Sequence, residues 1–239
     1  MAALSFNQYA SPESLIARLQ QNVFGQDKAL SIIANAIQRQ PANAEKALTI
    51  HLVSEAGLGK SRIAQTVAEA LELKYVSAST GYLQGLKFNH PVVIGMDNIK
   101  STEYEDLEAL SGLIKNKPCN IVFLMDTGER RPLPPKPIMY DSLSYQDQLI
   151  CKEWANRERL DFLLRYATKV ELEQPGHDAL IKIMRQETMR YERVNISDDF
   201  CRAIIERAGP RPKPRDLLKQ VVIELPRGTG PEAQTVSPQ

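Results

Sequence analysis

Apolar residues recur at helical spacing from early in the chain. Leu15, Ile16, Leu19 and Val23 make one stripe, opened by Ser11 as N-cap and Pro12 at the first helical position and broken at Phe24-Gly25. A second stripe begins at Gln26 and carries Ala29, Leu30, Ile33, Ala34 and Ile37. Pro41 to Glu45 is a polar connection into the short apolar run Ala47–Val53, which reads as a buried strand. From there strands and helices alternate. A helix over Arg62–Leu73 shows Ile63, Val67, Ala70 and Leu71 on one face, followed by strands at Lys74–Ser79 and Pro91–Asp97. A helix over Thr102–Ile114 and a strand at Cys119–Met125 come next. Ser144–Leu164 reads as a charged helix with the single tryptophan, Trp154, and Val170–Leu172 as a last strand. Three more helices follow a hinge at Gln174-Pro-Gly176: His177–Arg190, one capped by Ser197 and running to Ala208, and one from Pro214 to about Leu225. Between Glu129 and Pro137 the prolines remove donors and fix φ, so that stretch is an extended surface loop and a candidate partner site.

Composition narrows the class only a little. With 239 residues, 43% hydrophobic and 25% charged, the chain has the length and make-up of a globular protein with a substantial core. A net charge of +1 gives no general attraction to nucleic acid or to membranes. The three cysteines, Cys119, Cys151 and Cys201, lie far apart with no metal-ligand spacing and read as buried thiols in a reducing compartment. His51, His90 and His177 have no catalytic or metal partner nearby in sequence and read as core or surface residues. No run approaches the ~18 apolar residues of a membrane span. The start of the chain lacks a signal-like pattern, so the expectation is a cytoplasmic protein without membrane insertion.

The candidate chemistry centres on Ser54-Glu55-Ala56-Gly57-Leu58-Gly59-Lys60-Ser61, a glycine turn between strand and helix, which is the context a P-loop requires. Backbone N–H groups of Glu55 to Arg62 would cradle phosphates at the helix N-terminus. Lys60 would reach the β and γ oxygens, and Ser61 would hold Mg²⁺. Ser54 stands where the pattern G-x-x-x-x-G-K-[ST] has its first glycine; if that position requires a positive φ, serine costs roughly 1 kcal/mol there. The run ending in Asp97 has the form of a Walker B strand, with Asp97 as the metal partner of Ser61. Asn98 follows, and an amide orients water but cannot take its proton as a carboxylate would.

These motifs together resemble an AAA+ ATPase module of the Clp-like branch, with degenerate Walker A, Walker B and sensor-one positions, over roughly residues 12 to 226. The resemblance implies a P-loop, doubly wound parallel α/β sheet followed by a small all-helical lid: a core over 1–173, a lid over 174–226 and a disordered tail over 227–239. Val23-Phe24-Gly25-Gln26 is similar to the family turn beside adenine, which makes Val23 and Phe24 adenine contacts. Thr127, ahead of Asp126, takes the sensor-one place. Phe162-Leu-Leu-Arg165 is similar in spacing to the segment whose arginine reaches the neighbouring subunit's nucleotide, so Arg165 is either that finger or an exposed surface cation. Gly209-Pro-Arg211-Pro-Lys-Pro-Arg215 matches the sensor-two pattern and gives the phosphate contact to Arg211. Gly81-Tyr82-Leu-Gln-Gly85 is similar to an aromatic pore loop and equally to a glycine-flanked surface turn.

The implied cofactors are ATP and Mg²⁺. The implied assembly is a homo- or hetero-oligomer, a ring in the family, acting on a macromolecular partner, protein ahead of nucleic acid. Asn98, where most members have the water-polarising glutamate, points to slow or partner-dependent hydrolysis. Two other readings stay open: a degenerate module serving as structural subunit or adaptor with weak or no nucleotide binding, and a DNA-associated loader or transposition-type ATPase.

Overall fold

The computed structural model describes residues 11–41, 44, 46–78, 88, 90–102, 104–116, 121–137, 144–225 and 235–236. Helices α1 (Pro12–Gln20) and α2 (Asp27–Arg39) lead into β1 (Leu48–Val53), α3 (Lys60–Ala70), β2 (Lys74–Ala78), β3 (Val92–Met96), α4 (Tyr104–Asn116), β4 (Ile121–Asp126), α5 (Tyr145–Arg165) and β5 (Thr168–Glu171). The five strands form one parallel sheet in the order β2-β3-β4-β1-β5.

Burial on both faces explains why these strands are near-continuous apolar runs rather than alternating ones. On β4, Ile121, Phe123 and Met125 point to one face, where Ile50 and Leu52 of β1 join the stripes of α1, α2 and α3. Val122 and Leu124 point to the other, where Leu107, Leu110 and Leu113 of α4 and Leu160 and Leu163 of α5 cover them. The sheet is therefore doubly wound, and its chain order reverses at β1. Open α/β sheets hold ligands outside the carboxyl ends of the strands at such a reversal.

The remaining helices, α6 (His177–Tyr191), α7 (Asp198–Ala208) and α8 (Pro214–Glu224), enclose a separate apolar cluster built from Leu180, Ile181, Met184, Phe200, Ile204, Leu217 and Val221. Ser197 caps α7 by accepting from the Phe200 amide, as expected, and Pro214 opens α8. Two residues inside the expected tail are paired: β7 (Thr235–Val236) runs parallel to β6 (Asn195–Ile196). Tyr82 and its glycine-flanked segment lie outside the described residues, as does Cys119. Cys151 is half-buried and Cys201 buried, where burial pushes the Cys201 thiol up to about 11. No helix among the described residues is long and apolar enough to cross a membrane.

Candidate functional site

At the carboxyl ends of β1, β3 and β4 a cleft of about 1030 Å³ opens between the sheet and helices α6 and α8. One end is made by the glycine turn. Gly57 and Gly59 take the left-handed backbone at φ 89° and 91°, and Gly59 is the N-cap of α3, so the first amides of that helix face the cleft. Ala56, Gly57, Leu58, Gly59, Lys60, Ser61 and Arg62 all line it, and so do Asp97, Asn98 and Thr127. Val23, buried, and Phe24, half-buried, line the same cleft. Glu55 does not; its carboxylate is turned outward to Lys213 at 2.7 Å.

Ser54 carries none of the strain expected of it. Among described non-glycine residues only Glu72, Asn98 and Arg193 have positive φ. Buried Ser54 adds an acceptor instead: the Lys60 amine donates to the Ser54 carbonyl at 2.8 Å, to Ser54 Oγ at 3.2 Å and to the Glu55 carbonyl at 3.0 Å. The ammonium is thus folded back on its own loop. Burial lowers the Lys60 pKa below the usual lysine value, Asp97 and Asp126 oppose that, and Arg215 adds to it. Four charged groups therefore converge on the turn.

Arg211, His51 and Arg165 each sit where contacts from distant segments put them. Arg211 is exposed and stands off the cleft, whereas Arg215, the second arginine of the same motif, lines it. The reason is local: Pro214 starts α8, so Arg215 sits in its first turn, where its Cβ packs 3.3 Å from the position a Cβ on Gly57 would take. His51 is not a lone histidine. Its Nε2 lies 3.1 Å from Asp126 Oδ2 in the interior, and Asp126 Oδ1 accepts from the Gly128 amide. Burial raises the Asp126 carboxyl, but the His51 hydrogen bond, the Gly128 amide and the nearby charges of His51 and Lys100 outweigh it and hold it below the usual aspartate range. Asp126 as well as Thr127 therefore faces the cleft. Arg165, at the exposed end of α5, does not reach it.

Asn98 is held by backbone chemistry. It adopts the left-handed conformation, φ 54° and ψ 45°, that asparagine tolerates better than most side chains. Its Nδ2 donates to Ser101 Oγ at 2.8 Å, closing a 3₁₀ turn over Ile99–Ser101, while its own amide donates to Asp97 Oδ1 at 3.0 Å.

Sequence reasoning missed several contributors. Tyr75 and Ser77 of β2 line the cleft. Burial and Asp97 raise the Tyr75 phenol, while a hydrogen bond from Ser77 partly offsets them. The available signal was Gly95 in an otherwise apolar strand: a Cβ there would collide with the Tyr75 hydroxyl, and glycine inside a strand marks such a close approach. Gln26 is buried and clamps the hinge. Its Nε2 donates to the Glu173 carbonyl at 2.7 Å and its Oε1 accepts from the Glu173 amide at 3.1 Å. Nothing in the local pattern pointed to a partner 147 residues away.

The reversed parallel sheet, the glycine turn at α3 and the helical unit over the strand ends make a doubly wound α/β fold of P-loop form. Among solved structures, a mutant of RuvB from Thermotoga maritima superposes with a TM-score of 0.56 at 16% sequence identity, covering 84% of this chain. The chain spans 63% of the length of that RuvB. No protein-family model matches the sequence, and no curated protein matches it.

The residues fit a magnesium nucleotide. The turn leaves helix amides and an ammonium without a carboxylate bonded to it, and Ser61 and Asp97 supply oxygen ligands of the kind Mg²⁺ takes in nucleotide sites. The opposite wall is apolar: Ile183, Tyr191, Leu218, Val222 and Ile223 line the cleft, and Tyr191, Val222 and Ile223 are 69%, 53% and 73% exposed. Such a wall suits a planar base.

Proposed function

We propose that the protein binds ATP with Mg²⁺ in this cleft and hydrolyses it slowly or only with a partner. Binding would be coupled to assembly or remodelling of a macromolecule. The observation that carries the reading is the Lys60 amine, bonded only to oxygens of its own glycine turn and sharing one cleft with Asp97. A triphosphate entering there replaces neutral carbonyls with charged oxygens, roughly doubling the strength of each hydrogen bond. In this reading Ser61 and Asp97 hold Mg²⁺, Arg215 supplies the contact from the helical side, and Val23 and Phe24 flank adenine. Arg165, exposed at the end of α5 and outside its own chain's cleft, would act across a subunit boundary in this reading, as in a Clp-like homo- or hetero-oligomeric ring in the cytoplasm.

A second reading, a structural or adaptor module with weak nucleotide binding, is favoured by Asn98. Its Nδ2 is drawn to Ser101 Oγ, which commits part of the side chain to the turn, and an amide in place of a carboxylate cannot take a proton from water. Binding of an ATP analogue carrying its fluorophore on the base, with and without Mg²⁺, separates the two. The ATP reading expects magnesium-dependent binding that falls about 10- to 100-fold in Lys60→Ala, the range for losing a charged hydrogen-bonding group. Absence of binding at millimolar nucleotide leaves the adaptor. Turnover assayed alongside tests Asn98: rapid hydrolysis by the purified chain, lost in Lys60→Ala, contradicts slow chemistry.

A further inference from the structure

One pair of polar side chains in the cleft stands outside the phosphate and metal roles proposed above. Arg62, in the first turn of α3, places its Nη2 3.5 Å from Oε1 of Glu187 on α6, and both side chains are largely buried at 21% and 14% exposure. The Arg62 Nε and Nη1 atoms are buried with no hydrogen-bond partner. Orphaned buried guanidinium donors are costly, and one explanation for such groups is a ligand that satisfies them. Glu187 is equally out of place. Along α6 the residues facing the cleft are Ile183, Glu187 and Tyr191, spaced four apart, so one carboxylate interrupts an apolar stripe. Burial and the neighbouring Glu69 raise its pKa, which measures the cost of holding a charge there. The only cation within ion-pair distance among the described residues is Arg62.

We propose that Arg62 and Glu187 form the subsite for the ribose of the bound nucleotide, with the Glu187 carboxylate accepting from a ribose hydroxyl and the free Arg62 donors reaching the sugar oxygens. Position selects the sugar over the base. Arg62 lines the same cleft as Lys60 from the first turn of α3, and the ribose is the group attached directly to the α-phosphate. Chemistry agrees, because each hydroxyl of a vicinal diol is donor and acceptor at once and suits a carboxylate beside a guanidinium with unused N–H groups. Because Arg62 belongs to the sheet unit and Glu187 to the helical unit, a ribonucleotide bridges the two and draws them together.

The test uses the full chain and competition of ATP, 2′-deoxy-ATP, 3′-deoxy-ATP and GTP against an ATP analogue labelled on the base, leaving the ribose unmodified. In the unaltered protein at least one deoxy analogue is expected to bind about 10- to 100-fold more weakly than ATP, the range for one hydrogen bond to a charged group. Glu187→Ala should weaken ATP by a similar factor and bind ribose and deoxyribose forms alike, with Glu187→Gln intermediate. Equal binding of ATP and both deoxy analogues by the unaltered protein overturns the subsite and leaves nucleotide binding intact. Full discrimination retained in Glu187→Ala, or a change in ATP against GTP preference in its place, overturns it too. No nucleotide binding at all sinks the ATP reading on which the subsite rests. The analogue series on the unaltered chain decides between these outcomes even if a variant fails to fold.

Discussion

The sheet and the three-helix unit are stabilised differently. Around the sheet, Ile50, Phe123, Ile94 and Leu124 are fully buried between two helix layers, and all five strands are parallel neighbours. The unit of α6, α7 and α8 has its own apolar cluster, and polar contacts help tie it to the sheet unit. Gln26 clamps Glu173, Gln174 Nε2 donates to the Pro212 carbonyl, and Gln186 Nε2 donates to Gln21 and Asn22; Arg62, Arg190 and Lys213 face Glu187, Glu69 and Glu55. Polar, partly solvated joints resist separation less than interdigitated apolar layers do, and relative motion is the ordinary expectation for such an interface. The difference teaches where a ligand of the cleft would be felt: the cleft lies at that joint, with the glycine turn on the sheet side and Arg215, Glu187 and the apolar wall on the other.

The contrast is open to direct attack. The largest effect is expected from Phe123→Ala, which empties the centre of the sheet and costs about 3–5 kcal/mol; chemical unfolding should show the whole chain destabilised. Leu217→Ala removes a fully buried side chain from the helical cluster and costs about 2–5 kcal/mol. Hydrogen exchange should rise across α6–α8 while β3 and β4 stay protected. Equal acceleration in the sheet would mean that the two units unfold as one. Gln26→Ala strips both hydrogen bonds from the Glu173 backbone and is expected to cost about 1–3 kcal/mol, with exchange increased first at residues 173–176.

A pH series sharpens the same contrast from the sheet side. Asp126 is held below the ordinary aspartate value of 3.8. Its stabilisation is therefore fully present above that value and lost as pH falls through the lower native one. Urea midpoints of the unaltered chain should drop in that acid range more than those of Asp126→Asn. The smallest effect belongs to Lys213→Ala, whose ion pair with Glu55 is largely exposed. Its melting temperature should be indistinguishable from that of the unaltered chain, with or without added salt.

Apolar stripes, helix-start residues and short apolar runs located the α-helices of the sheet unit and its five strands to within a few residues, because each of those signals is local. The glycine turn was equally legible, since Gly57, Gly59, Lys60 and Ser61 are adjacent in sequence and act through the local backbone. Legibility ended where the partner is distant. Arg211 and Arg215 stand four residues apart in one motif, and which of them meets the cleft depends on where Pro214 starts α8 and how that helix packs on Gly57. His51 gave no sign of Asp126, 75 residues on, because the pairing exists only through the β1–β4 register. The Ser54 strain was an inference from the motif's glycine, and the backbone there needs no positive φ.

Local order thus determined the glycine turn, the strands and the succession of helices, for these depend on short-range spacing and on backbone geometry each segment carries with it. Packing decided the rest: which charges surround Lys60, how Asn98 is spent on a turn, and that Arg62 meets Glu187 across the joint. Those are sums over side chains brought together from distant segments, and electrostatic and hydrogen-bond partners of that kind have no periodic trace along the chain.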